Sequence, residues 1–237
     1  MHFFEGRVIE IRLDQNSAKR NQTSAWISFP PEVLPGALPQ PGQYLLSWNP
    51  EDGESPLGIP LFPSEITSDS ILAASPVPPG WYPGAHLMMR GPLGHGFHLP
   101  ASLQHLALAA FGMDISRLLP LIRRGLAEGW ALALFTDAPL PVLSTAVEVF
   151  PLHELSGALN WAGFLALDLP LAEMPALRRL LASVPSSRLP CPAQALLFTD
   201  MPCAGLAECG ACAVPARRGW FLACRDGPVF DLADLKL

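Results

Sequence analysis

Over the first hundred residues, apolar and polar positions alternate in short bursts. EGRVIEIRL (Glu5 to Leu13) steps between the two with the period of a strand that buries one face. SAWISF, QYLLSW, SILAAS and HLMMRG read the same way, separated by PPEVLPGALPQPG and by the run from Pro76 to Pro83. Short strands with turn signals between them predict a small antiparallel barrel or sandwich over residues 1–100.

From Leu106 the apolar positions run together. LALAAF, WALALFT, GFLALDL and AQALLFT are continuous apolar segments of strand length. Between them, ISRLLPLIRRGLAEG and LAEMPALRRLLASV space their apolar residues at helical intervals. Apolar strands alternating with helices predict a parallel sheet covered on both faces, an α/β domain over residues 101–200 with its boundary near Leu99 to Gln104. Residues 201–237 have few apolar positions for a core of their own and hold four of the five cysteines.

Composition adds constraints. Half of the 237 residues are apolar and only 15% are charged, against about 25% in ordinary domains. No membrane helix accounts for this. The stretch from Ser70 to Met89, free of Asp, Glu, Lys and Arg, is broken by Pro76, Pro78, Pro79 and Pro83. Glu5, Arg7 and Glu10 interrupt the N-terminus where a signal peptide needs an apolar core. The expectation is a cytoplasmic chain whose scarce surface charge reflects a face covered by a partner subunit. A net charge of −6 with no Lys/Arg run argues against nucleic acid.

The cysteines Cys203, Cys209, Cys212 and Cys224 follow the spacing C-x5-C-x2-C-x11-C. Plant-type ferredoxins use C-x4-C-x2-C and a distant fourth cysteine to hold a [2Fe-2S] cluster. Three thiolates must converge from one tight loop whose amides turn toward the sulfides. Small residues allow that approach, and Ala204, Gly205, Gly210 and Ala211 supply them. Gly205 and Gly210 are therefore candidate cluster-loop residues, and GWFLAC would bring the fourth thiolate on a separate strand. Structural zinc also takes four cysteines, although a zinc ribbon usually shows two C-x2-C knuckles and this chain has one. Cys191, in LPCPAQ, reads as a buried free thiol.

The segment Cys224-Arg225-Asp226-Gly227-Pro228-Val229-Phe230 that ends this set resembles the CxDGPVF of class B dihydroorotate dehydrogenase electron transfer subunits. Pro41-Gly42-Gln43-Tyr44 resembles the PGQF of their barrel, and GPLGHGF (Gly91 to Phe97) their GPLGNGF. The three occur in the family's order, so the resemblance spans essentially the whole chain. It implies a ferredoxin reductase-like flavoprotein: an FAD-binding barrel, a nucleotide-binding α/β domain and a [2Fe-2S] tail. Electrons in that family run from NADH to FAD, through the cluster, and on to FMN in a separate catalytic subunit.

Three departures change that picture. The family binds flavin through an Arg-Pro-x-Ser type segment. The corresponding SPLGIPLFPSEI (Ser55 to Ile66) puts Gly58 and Ile59 where arginine is expected and Phe62 where serine is, and no Lys or Arg occurs between Arg20 and Arg90. A pyrophosphate wants a cation or a helix N-terminus, so these residues argue against FAD. The second phosphate-contacting loop is replaced by SPVPPGWYPG. The glycine-rich turn after the first α/β strand is reduced to Gly112 in AAFGMDISRLLP, with Asp114 nearby, which argues against NAD(H). The third departure is one extra residue between Cys203 and Cys209, which Gly205 could absorb.

His86, His95, His98 and His105 show no i, i+4 pairing on one helix and read as solvated or satisfied. The six tryptophans read as core and interface. No Ser/His/Asp set or carboxylate pair points to hydrolysis. The reading is an electron-transfer iron–sulfur subunit of a heteromeric oxidoreductase complex, relaying electrons to or from a flavin in a partner resembling FMN-containing dihydroorotate dehydrogenase. The alternatives are a complete FAD/NADH-dependent diaphorase subunit and a redox-silent, zinc-stabilised assembly subunit.

Overall fold

The computed structural model of the chain describes residues 2–13, 23–30, 32, 38–52, 57–74, 76–78, 80–112, 114–182 and 189–237. Pro31 and residues 33–37 of the expected PPEVLPGALPQPG loop, Ser55 and Pro56 of the flavin-type segment, and the end of LAEMPALRRLLASV lie outside these residues. Among the described residues no helix is long and apolar enough to cross a membrane.

The N-terminal alternation becomes a seven-stranded antiparallel sheet. Its strands are β1 (His2–Leu13), β2 (Thr23–Ser28), β3 (Tyr44–Trp48), β4 (Ile59–Leu61), β5 (Pro63–Ile66), β6 (Ser70–Ala73) and β7 (His86–Leu93), in the order β4-β3-β7-β1-β2-β6-β5. The two edge strands, β4 and β5, are consecutive in the chain with only Phe62 between them, so the sheet curls into a nearly closed barrel. Neither was expected as a strand. Each is short and carries proline (Pro60, Pro63), which a sheet tolerates at its edges. Val8, Ile27, Leu45, Ile71, Leu87 and Met89 fill the barrel.

The second sheet is parallel over β8 (His105–Ala110), β9 (Ala131–Thr136), β10 (Val147–Phe150), β11 (Phe164–Pro170) and β12 (Ala193–Phe198), ordered β10-β9-β8-β11-β12. The helix expected over ISRLLPLIRRGLAEG opens as a 3-10 turn, Ser116–Leu118, and continues as α1 (Leu119–Glu128). Pro120 sits in its first turn, where an N–H would have no intrahelical partner, and Gly129 ends it in the left-handed region.

The tail packs on the α/β domain. Its strand β15 (Val229–Asp231) pairs antiparallel with β12 at the edge of the parallel sheet. Cys212, Val214, Cys224, Phe230, Leu232 and Leu235 join the same buried cluster as the α/β strands.

Candidate metal centre

Cys203, Cys209 and Cys212 lie in the connection between β12 and β13 (Ala213–Pro215), which pairs with β14 (Trp220–Leu222). Cys224 follows β14 in a single helical turn, Ala223–Asp226, rather than on a strand as the sequence suggested. The cause is local: Asp226 Oδ2 accepts the Leu222 N–H at 2.8 Å and closes the turn. The Ala223 N–H donates to the Cys212 carbonyl at 3.0 Å, which fixes the turn against the loop. Cys212 Sγ and Cys224 Sγ are then 3.3 Å apart.

The Cys209 thiol also stands close enough to the Cys203 sulfur to favour its thiolate. The four cysteines thus come together as two pairs, Cys203/Cys209 and Cys212/Cys224. Among the described residues no three His, Cys, Asp or Glu side chains gather about one point. The loop supplies amide donors to the sulfurs. Burial works to raise the Cys203 pKa, but the Cys209, Glu208 and Leu206 amides and the Cys209 thiol outweigh it and bring it down to about 6. The Cys224 thiol goes the other way, pushed up to about 12 by burial and by Cys212, although the Ala207 amide favours its thiolate. The Ala211 N–H lies 3.5 Å from Cys209 Sγ. Cys203 is half-buried and Cys209 exposed, whereas Cys212 and Cys224 are buried.

This amide array has a conformational cost. Ala204 (φ 49°) and Ala207 (φ 62°) occupy the left-handed region without being glycine, at roughly 1–2 kcal/mol each. Gly205 and Gly210 adopt φ of 75° and 71° without that penalty. A donor-lined loop with four thiols fits an anionic thiolate-held cluster.

The barrel forms the back of this corner. The Tyr44 hydroxyl donates to the Cys224 carbonyl at 3.3 Å. Arg90 Nη2 donates to the Ala204 carbonyl at 3.4 Å. Sequence reasoning missed Arg90; the only signal was that it ends a cation-free run of the chain. The three family-like motifs also meet here. The His95 N–H donates to the Gly227 carbonyl (2.7 Å), Gln43 Nε2 to the Gly94 carbonyl (3.0 Å) and the Phe97 N–H to the Pro41 carbonyl (2.9 Å). A Cβ on Gly94 would stand 2.5 Å from Pro228 Cδ. Three segments remote in sequence are one joint in space. The remaining candidates stay apart: Cys191 is a buried thiol whose pKa burial raises. His86 bonds Arg7 (2.9 Å), His95 faces the Asp226 carbonyl (3.2 Å) and His105 packs on Trp161.

The expected dinucleotide sites look different. Strand order reverses between β8 and β11, and open α/β sheets bind ligands in the crevice at the carboxyl ends of such strands. Here Arg117 fills it. Its Nε is 3.0 Å from Asp168 Oδ1, and its guanidinium lies 4.3 Å from the centroid of Phe198. Asp168 is fully buried, and burial raises its pKa against the pull of Arg117. Across the seam, Phe62 packs on Tyr44 and Phe198 (ring centroids 5.6 and 6.1 Å). Along the chain, no Lys or Arg lies near the flavin-type segment. The fold brings Arg123 to it, but that guanidinium is engaged by Glu65 (2.7 Å) and by the Ser64 carbonyl. Gln40, Gln43, Phe62, Ile66, Arg117 and Pro120 line the groove that remains. As arranged, Arg117 and Arg123 are each held by a carboxylate of the chain rather than set out for a pyrophosphate.

Comparison with known proteins agrees with the tail and the fold. Residues 200–236 match the family model of the iron–sulfur cluster binding domain of dihydroorotate dehydrogenase B. The chain is 28% identical over 212 residues to a probable dihydroorotate dehydrogenase B (NAD(+)) electron transfer subunit of Thermoplasma acidophilum, across 83% of this chain and 80% of that protein. Among solved structures it resembles an NADH-dependent reduced ferredoxin-NADP oxidoreductase (TM-score 0.71, 16% identity, 98% of this chain and 89% of that one). It also resembles the ferredoxin reductase of carbazole 1,9a-dioxygenase (TM-score 0.60, 17% identity, 83% and 69%). Residues 200–236 thus match an iron–sulfur cluster binding domain of the dihydroorotate dehydrogenase B type, in a chain with a ferredoxin reductase-like fold.

Proposed function

We propose that this chain is the electron-transfer subunit of a cytoplasmic oxidoreductase complex, holding a [2Fe-2S] cluster on Cys203, Cys209, Cys212 and Cys224. The carrying observation is the gathering of the four thiols into two pairs under amide donors, with Cys212 and Cys224 Sγ at 3.3 Å. A two-iron cluster takes four cysteines, two for each iron, and the pairs Cys203/Cys209 and Cys212/Cys224 suit that division. When bound, the cluster supplies one-electron chemistry.

The chain's own residues do the rest. Amides of Leu206, Glu208 and Cys209 favour the thiolate of Cys203. Gly205 and Gly210 let the loop turn back on itself. Tyr44 fixes the Cys224 backbone, and the buried pair Cys212/Cys224 keeps water from one side. Exposed Cys209 and Leu206 leave the opposite edge open to a partner.

Kinship with dihydroorotate dehydrogenase B subunits supports a flavin-bearing catalytic partner of that type, with FMN as the flavin, in a hetero-oligomer. We assign residues 1–100 to the barrel, 101–200 to the α/β domain and 201–237 to the cluster segment. The filled crevice supports a chain that relays electrons without FAD or NAD(H) of its own, rather than a complete diaphorase. Anaerobic purification followed by iron, labile-sulfide and flavin analysis tests this. Two irons and two sulfides per chain without flavin are expected. A colourless zinc protein sinks the electron-transfer reading, and one FAD per chain restores the diaphorase.

A further inference from the structure

Strand β7 sets Arg90 opposite Phe3 of β1 and Leu46 of β3, at the barrel wall on which the cysteine loop rests. Its Nη2 holds the carbonyl of Ala204, the left-handed residue that follows Cys203. Its Nε is buried and has no hydrogen-bond partner among the described residues. Nor, among those residues, does any carboxylate form an ion pair with it. Arg90 and the thiols of Cys203, Cys212 and Cys224 all act electrostatically on the Tyr44 hydroxyl, so they share one neighbourhood.

The other cation near these thiols is different. Arg225 is held by Asp226 through two bonds, 2.8 and 2.9 Å, so its charge is already offset. A half-buried cation with an orphaned N–H is costly unless an anion stands beside it. A cluster held by four thiolates is such an anion. One-electron reduction turns one ferric ion ferrous and adds a further negative charge, which a nearby guanidinium stabilises.

We propose that Arg90 is a positioning residue that raises the reduction potential of the cluster from the barrel side, through its uncompensated charge and its Nε–H. This rests on the cluster reading above.

The test uses the full chain, reconstituted anaerobically with iron and sulfide, in wild-type, Arg90→Lys and Arg90→Gln forms. Iron and labile sulfide are counted first. A mediated titration with dithionite, followed by electron paramagnetic resonance, then gives each midpoint potential. The expected result is full loading with a negative shift in Arg90→Gln and a smaller negative shift in Arg90→Lys, which keeps the charge and loses the Nε–H. An unchanged or more positive midpoint in Arg90→Gln overturns the proposal. Loss of the cluster from both variants also overturns it, assigning Arg90 to the integrity of the loop alone. If wild-type protein takes up no iron and sulfide, the cluster reading fails, and the role of Arg90 fails with it.

Discussion

The corner at Cys203–Cys224 and the crevice at Asp168 are two places where a fold of this kind could hold a redox group, and they are built in opposite ways. In the corner, donors stand without partners from the chain: loop amides turn toward sulfur, two alanines sit in the left-handed region, and Arg90 Nε has no mate among the described residues. In the crevice the chain answers itself. Arg117 meets Asp168 and Phe198, Arg123 meets Glu65, and Phe62 closes the seam between the sheets. One leftover remains, Asp168 Oδ2, deep beneath its own arginine. The lesson is physical: a site for a bound group leaves polar atoms and backbone strain that the chain cannot settle alone, and a closed seam settles most of its own.

Removing a thiol should break the comparison hardest. Cys212→Ser is expected to abolish most of the iron and sulfide content, whereas Cys191→Ser leaves both unchanged, as read by metal analysis and the visible spectrum. In metal-free protein, thiol alkylation against pH should separate the two cysteine pairs. The thiolate is the nucleophile, so Cys203 is expected to react with a midpoint near pH 6 and Cys224 only near pH 12. A Cys203 profile centred on 9.0, the ordinary value, would show that the amides do not point at it.

In the crevice, Asp168→Ala strands the Arg117 guanidinium in a buried site and should cost about 3–5 kcal/mol of unfolding free energy. The double change Asp168→Leu with Arg117→Met should cost far less, and neither should lower the iron bound per folded chain. Gly94→Ala presses a Cβ against Pro228 at φ 75°; about 1–2 kcal/mol of strain is expected, with looser cluster retention because the joint backs the loop. Glu65→Ala removes a partly exposed ion pair and should change stability by less than about 1 kcal/mol in a denaturant titration.

Parts of this architecture were written locally. LALAAF, WALALFT, GFLALDL and AQALLFT are strands because continuous apolar runs of that length need burial on both faces. QYLLSW and HLMMRG are strands because their alternation matches a half-buried sheet. The strands β4, β5 and β10 were not legible: three or four residues, two of the strands carrying proline, give too few periods to count. Cys224 looked like the end of a strand, and the Asp226 carboxylate turned it into a helical turn.

By itself, then, the sequence determined the barrel and parallel-sheet strands, the four-cysteine set and the weakness of the nucleotide motifs, because each is carried by neighbouring residues in a short window. Tertiary structure alone decided which cations stand at each site. Arg90 comes to the thiols from 113 positions before Cys203, and Arg117 and Arg123 come to the seam from the 3-10 turn and α1 that follow β8. Charges act through space at a few ångströms, and which of them lie that close depends on the pairing and packing of the strands, a distance that no local pattern records.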